Sequence, residues 1–379
     1  MNLHPTGDML GRTLAGLTAS IAIFGVAALA ANVSWAAAQD PAPPAVAPSA
    51  TATSSATQGM HYAGGEGSNR VTVVIAPGDR FLISDIVPII AGAGCTPTTV
   101  PVAGMHAVHC LAPRLPNGQF RLFGIEAGGG DDIVNNSSPV TMSANGGAGN
   151  DTLNGGNQFD NLRDASGQDI LRGNGGGDSL STTSGVPGEG LLTDTLDGGN
   201  GDDNLRAGPG RDLLRGGDGQ DDLRGGLGPD NFDGGSGLGD IVSYRDPGHN
   251  GVRVIASLDN TPNDGSAPIV GPSEEGDNVL SSVENLEGSS GPDSLSGNGS
   301  ANRLIGNNGD DSLVGNGGAD LLEGGLGNDR LFSNRFAGVP VEDGAIDTLN
   351  GGADIDFCRI PFAVVESDIT ISCETIDQD

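Results

Sequence analysis

The chain has no lysine, and its 379 residues set 17 arginines against 49 acidic side chains, a formal net charge of −32. That imbalance excludes nucleic acid and anionic membrane as partners, because both repel a surface of this sign. Aromatic residues make up 3%, with a single tryptophan. A chain so acidic and so poor in large apolar side chains does not offset its own repulsion and conformational entropy by burial alone. Neither HExxH nor GxSxG occurs, and His61, His106, His109 and His249 stand in no recognisable motif with a serine or cysteine. The reading is therefore a non-enzyme, with a secreted hydrolase of unrecognised catalytic site as the weakest alternative.

Long hydrophobic runs are also scarce. The one present, Leu14 to Ala31, follows Arg12 and precedes the small-residue stretch Ala36-Ala37-Ala38. That is the pattern of a secretory signal peptide over residues 1–38, so an extracellular, secreted protein is expected; an uncleaved anchor is the alternative. No second run of spanning length follows. Residues 39–58 are Pro, Ala, Ser and Thr and read as a flexible or extended linker. Residues 59–126 read as a small β leader, with strands expected at Val71–Ile75, Phe81–Ile83, His106–Val108 and Phe120–Phe123.

Only four cysteines occur. In an exported chain they suggest two disulfides, and sequence neighbours favour Cys95–Cys110 and Cys358–Cys373 among three formal connectivities. Each such loop would stabilise by about 3 kcal/mol in the chain-entropy model. The alternative, a zinc site from Cys95, His106, His109 and Cys110, has suitable residue types, but an oxidising compartment favours the disulfide.

What the chain has in abundance is glycine, 66 residues of it, and the glycines are periodic. From Gly288 the chain reads GSSGPDSLS, GNGSANRLI, GNNGDDSLV, GNGGADLLE and GGLGNDRLF. From Gly146 it reads GGAGNDTLN, GGNQFDNLR, DASGQDILR and GNGGGDSLS; from Gly198, GGNGDDNLR, AGPGRDLLR, GGDGQDDLR and GGLGPDNFD. These thirteen nine-residue units hold an acid at position six, except for Asn302, and an apolar residue at position eight. Early glycines permit the positive φ of a tight turn that aims carbonyl oxygens inward. The acid adds a hard anionic oxygen, and position eight points into a core under period-two alternation. Successive units should alternate between two facing sheets, so that stacked turns lie eighteen residues apart.

The pattern resembles the RTX, or haemolysin-type, calcium-binding repeat family, and the leader is similar to that of secreted actinobacterial calcium-binding repeat proteins. The resemblance implies an all-β fold, a parallel β-roll or β-solenoid of nonapeptide repeats holding several Ca²⁺ ions. Blocks one and two are expected at 127–239, a β insertion with an acidic loop at 240–287, block three at 288–357, and a disulfide-clipped cap at 358–379. The acidic loop, through Asp259, Asp264, Glu274, Glu275 and Asp277, is expected to be solvated.

Metal ligands are expected at Asp132, Asp151, Asp160, Asp169, Asp178, Asp203, Asp212, Asp221, Asp230, Asp240, Asp293, Asp311, Asp320 and Asp329. Ions are expected between acids eighteen residues apart, with a weaker site where Asn302 faces Asp320. Gln158 and Ala165 replace turn glycines and should weaken the second and third units of the first block. The function expected is a secreted calcium-binding β-roll that orders outside the cell as Ca²⁺ binds. A calcium-stabilised structural, adhesive or surface-layer spacer is the alternative, with a cell-surface or self-association partner.

Overall fold

The computed structural model describes residues 49–55, 59–100, 102–182, 192–267, 275–334, 345–360 and 368–378. The signal peptide expected at 1–38 and Glu274 of the acidic loop lie outside them. No helix of the described residues is long and apolar enough to cross a membrane.

The nonapeptide units stack as parallel strands. Leu153 pairs with Leu171, Leu171 with Leu196, Leu196 with Leu214, and Leu214 with Phe232. On the facing sheet Leu162, Leu180, Leu205, Leu223 and Val242 stack in the same way. Consecutive units therefore belong to opposite sheets, and every position-eight side chain lands in the space between them. Those leucines are buried, while Arg163, Arg206 and Arg215 at position nine are exposed. Each buried leucine contributes about 1.5–3 kcal/mol of transfer free energy, so a thin core is assembled one rung at a time.

One sheet has fifteen strands and runs the length of the described fold; the opposite face is divided into sheets of eleven and seven strands. The division falls at the insertion. Asn231–Gly237 takes the short strand Asn278–Val279 as its next neighbour, and in the seven-stranded sheet Arg253–Ser257 lies between the edge strand Gly265–Ala267 and Ser294–Ser296. The insertion contributes the strands Ile241–Ser243 and Arg253–Ser257.

The leader is continuous with the roll. Gly59–Ala63 pairs in parallel with Phe123–Gly129, and Arg70–Ala76 with Ile133–Asn136, so these two strands form the first rung. Beyond them the pairing turns antiparallel, through Arg80–Asp85, His106–Leu111 and Cys95–Thr98. The large side chains gather here: Tyr62, Phe81, Ile83 and Phe123 are fully buried, with the rings of Phe81 and Phe123 5.3 Å apart. A roll end exposes unpaired edges and apolar core, and these hairpins cover the first one.

Three expectations are corrected. Residues 50–55 are not linker: Ala50–Ser55 is a strand paired with Gly59–Ala63, and Ala50 and Ala52 are fully buried. Alternation of small residues lets the strand lie flush on the leader's core. The strand expected at 120–123 instead begins at Phe123 and runs through Gly129, carrying the glycines into the ladder. The zinc alternative is excluded by the Cys95–Cys110 disulfide, whose cysteines sit opposite one another in antiparallel strands. Cys358–Cys373 is the second disulfide. It ties the end of the chain to Phe357–Ile360, beside which Thr375–Gln378 adds the last strand of that sheet.

Candidate metal centre

Most of the described turns present their position-six acid in the same way. The backbone N–H of one acid donates to Oδ1 of the acid one rung later: Asp151 to Asp169 at 2.9 Å, Asp203 to Asp221 at 2.8 Å, Asp212 to Asp230 at 2.8 Å, Asp311 to Asp329 at 2.9 Å. The carboxylates thus form rows along the edges of the roll. One row runs Asp132, Asp151, Asp169, Asp194, Asp212, Asp230 and Asp277. A second runs Asp160, Asp178, Asp203, Asp221, Asp240 and Glu284. A third runs Asp293, Asp311, Asp329, Asp356 and Glu374, and a fourth runs Asn302, Asp320, Asp347 and Asp368. At the first end Asn69 of the leader donates its N–H to Asp132 at 2.6 Å, so the hairpin cap also closes a carboxylate row.

Oδ1 is spent on the ladder, which leaves Oδ2. In Asp132, Asp169, Asp178, Asp203, Asp212, Asp221, Asp230, Asp240, Asp311 and Asp329 this atom is buried and accepts no hydrogen bond. None of these ten residues takes part in an ion pair among the described residues. A buried carboxylate oxygen without a partner is costly, and a full row of them calls for a compensating cation. Burial pushes these carboxyls up, to about 6 at Asp132 and Asp329, about 7 at Asp169, Asp178, Asp203 and Asp212, about 8 at Asp311 and about 9 at Asp230.

The first glycine of the unit completes a cradle around that oxygen. A β-carbon on Gly216 would lie 2.2 Å from Asp221 Oδ2 and 2.6 Å from the Gly234 carbonyl oxygen of the next rung. Gly198, Gly306 and Gly324 repeat the arrangement with Asp203, Asp311 and Asp329 and the carbonyls of Gly216, Gly324 and Gly351. Carboxylate and carbonyl oxygens thus converge on a space that only glycine leaves open. This is the hard, all-oxygen donor set that suits Ca²⁺.

A model of the RTX calcium-binding nonapeptide repeat matches residues 145–180, 197–232, 215–237, 280–313 and 296–331. Those residues carry RTX calcium-binding repeats. No curated protein matches the chain. RTX repeats of this kind are typically structural rather than catalytic. These repeats support calcium binding.

Not all the expected aspartates present the same atom. Asp160 spends both oxygens inside the protein, Oδ1 on the Met142 N–H and Oδ2 on the Gly156 N–H. Asp293 does likewise, accepting from Val254 N–H and from both the N–H and hydroxyl of Ser289. Asn302 also deviates. Its Oδ1 accepts from Asn298 N–H and its amide donates to the Glu284 carbonyl, while its own N–H reaches Asp320 Oδ1 at 2.9 Å.

The rows also include acids that the nonapeptide phase missed: Asp194, Asp277, Glu284, Asp347, Asp356 and Glu374. Asp194 comes 25 residues after Asp169, and Asp347 comes 27 after Asp320, so counting by eighteen loses them. A shorter signal was available, an acid two residues before a buried apolar residue: Asp194 before Leu196, Asp277 before Val279, Glu284 before Leu286, Asp347 before Leu349.

The acidic loop is the main correction. Asp259 is exposed, but Asp264 and Asp277 are buried and Glu275 nearly so. Asp277 is the next member of the first row after Asp230, and Asp264 holds the loop by accepting from Ser257 N–H and Val279 N–H. Glu275 faces His249, which is fully buried, at 2.8 Å; Asp246 meets the other ring nitrogen at 2.6 Å. Burial works against the charged imidazole, but these two carboxylates outweigh it and push the ring up to about 10, so it is held as a cation. Hydration was the wrong expectation because the loop folds back to complete the carboxylate row.

Proposed function

We propose that this is an exported protein whose RTX roll orders outside the cell as its turns take up Ca²⁺, with no catalytic role. The observation that carries the reading is the rows of buried, unpartnered Oδ2 atoms, which at Asp178, Asp203, Asp221, Asp230, Asp240, Asp311 and Asp329 face the first glycine of their unit. Asp132, Asp169, Asp178, Asp203, Asp212, Asp221, Asp230, Asp240, Asp311 and Asp329 supply those atoms, and Asp151 and Asp320 occupy the same row positions. Ca²⁺ supplies the positive charge that these buried carboxylates lack. The chain's part is to hold the oxygens: Oδ1 anchors each carboxylate to the rung below, and glycine keeps Oδ2 and a carbonyl within reach of one centre.

The net charge of −32 supports coupled binding and ordering, since a chain so acidic gains folding free energy directly when a cation neutralises its turns. The two disulfides are compatible with an oxidising, extracellular site. The test is a calcium titration of residues 39–379 followed by far-ultraviolet circular dichroism, with magnesium as control. A coil-to-β transition specific to calcium is expected; a full β signal in chelator, unchanged by calcium, refutes coupled ordering.

A spacer role is the second reading, favoured by the fifteen-stranded sheet: at about 4.8 Å per strand it spans about 67 Å. Calcium-dependent self-association in sedimentation, or binding to a cell surface, would support it.

A further inference from the structure

Asp164 stands where the repeat has its first glycine, in the unit DASGQDILR. It closes the strand Asn161–Asp164 and is 2% exposed. Its Oδ1 accepts from Ala165 N–H at 2.6 Å and Gly147 N–H at 3.2 Å, which turns Oδ2 toward the cradle of the preceding rung. A β-carbon on Gly146 would lie 2.1 Å from Asp164 Oδ2 and 2.5 Å from Asp151 Oδ2. In the ordinary cradle the second oxygen is a glycine carbonyl of the next rung; here it is another carboxylate.

Asp169, the position-six acid of the same unit, completes a trio. One oxygen each of Asp151, Asp164 and Asp169 lies within 4.8 Å of the others, and this is the only such trio among the described residues. Asp151 and Asp169 are each 1% exposed, neither joins an ion pair there, and Asp169 Oδ2 is buried with no hydrogen-bond donor facing it. Three buried carboxylates at this separation repel one another strongly unless a cation or a shared proton lies among them.

We propose that Asp151, Asp164 and Asp169 form a three-carboxylate cation site, tighter for Ca²⁺ than the glycine-lined cradles and more selective for trivalent over divalent hard cations. Affinity of oxygen sites for such ions rises with the number of charged ligands, and this rung has one more than its neighbours. Ala165, which departs from the repeat and looks like a weakening change, belongs to the same adjustment: its N–H orients Asp164. The proposal rests on the reading that the turn carboxylates hold Ca²⁺.

The test is isothermal calorimetry of the whole exported chain with Ca²⁺, and with Tb³⁺ in competition, for wild type, Asp164→Gly and Asp164→Asn. Glycine restores the repeat's own residue; asparagine keeps the volume and the Oδ1 acceptor if glycine disturbs the fold. Wild type is expected to show one step at least tenfold tighter than the rest, with Tb³⁺ displacing Ca²⁺ there first. Both variants should lose that step by tenfold or more and keep the remaining ones. A tight step that survives both substitutions, or a wild type with one uniform class of sites, overturns the proposal. So does tighter binding by Asp164→Gly, which would mean that a shared proton, and not a cation, holds the trio. A wild type that binds no Ca²⁺ at all would instead overturn the calcium reading itself, and this proposal with it.

Discussion

Replacing Gly216 by alanine should remove one calcium site while leaving the turn's backbone intact. Gly216 does not have a positive φ, whereas its neighbour Gly217 sits at 114°, so alanine at 216 meets no conformational penalty of that kind. The new methyl would lie 2.2 Å from Asp221 Oδ2, 2.6 Å from Gly234 O and 2.7 Å from Asp221 Cβ. These contacts are well inside van der Waals distance, so the Asp221 carboxylate must leave the cradle or the rungs must part. Overpacking of this kind costs about 1–3 kcal/mol. At about 1.4 kcal/mol per tenfold change, calcium binding at that cradle should weaken about 5- to 150-fold if the whole strain falls on the bound state. Equilibrium dialysis at a calcium concentration that just fills the wild-type sites should then count about one ion fewer per chain than wild type. Gly299→Ala is the control, because nothing lies within 4 Å of a β-carbon there. Asp221→Asn is the companion variant: it keeps an oxygen to accept from Asp203 N–H but removes the charge. If Gly216→Ala binds the full complement with unchanged affinity while Asp221→Asn does not, the carboxylate matters and the glycine cradle does not. If neither variant changes binding, the carboxylate rows are not the metal centre.

Calcium affinity should rise with pH. A carboxyl held at about 7, as at Asp203 and Asp212, is about 90% protonated at pH 6 and about 10% at pH 8, so each such ligand adds about a tenfold gain, read as the shift in calcium midpoint. Metal-free, the sign reverses. The folded form holds these protons more tightly than the unfolded chain, so any ordered structure in chelator should be favoured near pH 4 and lost as pH rises through about 7, followed by circular dichroism; greater order at pH 8 would contradict it. His249→Gln removes the cation between Asp246 and Glu275 and should destabilise the calcium-bound fold by about 3–5 kcal/mol in a denaturant titration. A loss below about 1 kcal/mol would show that the buried ring is not the charge that holds the insertion. Leu214→Ala, in the rung between Leu196 and Phe232, should cost about 2–5 kcal/mol in the same assay; an unchanged midpoint would mean that the rungs do not share a core.

Much of the roll was legible because its information is local and repeated. Leucine at position eight, as in Leu153, Leu205 and Leu313, specifies an inward side chain on a three-residue strand too short to stand alone, so it must stack on its like. Glycines before an acid at fixed spacing specify the turn and its oxygen donors. The disulfides were readable because each joins sequence neighbours.

What the period did not carry, the tertiary structure decided. Asp194 and Asp347 occupy row positions across longer connections, because a parallel ladder registers strands by side-chain face and not by residue count. Asp264 and Asp277 look hydrated in sequence, and they are buried because the insertion returns to the edge of the roll and supplies the carboxylate that follows Asp230. Asp160 and Asp293 match the motif as well as Asp221 does. Only the neighbouring N–H groups of Gly156 and Ser289 show that their second oxygen is already used. Asp164 is the opposite case, a lapse from the repeat that folding places between two row carboxylates. By itself the sequence determined the unit, its strand, its turn and its donor atoms, all of them properties of nine residues. Which oxygens remain unpartnered depends on what the adjacent rungs bring to them, and that is a property of the stack.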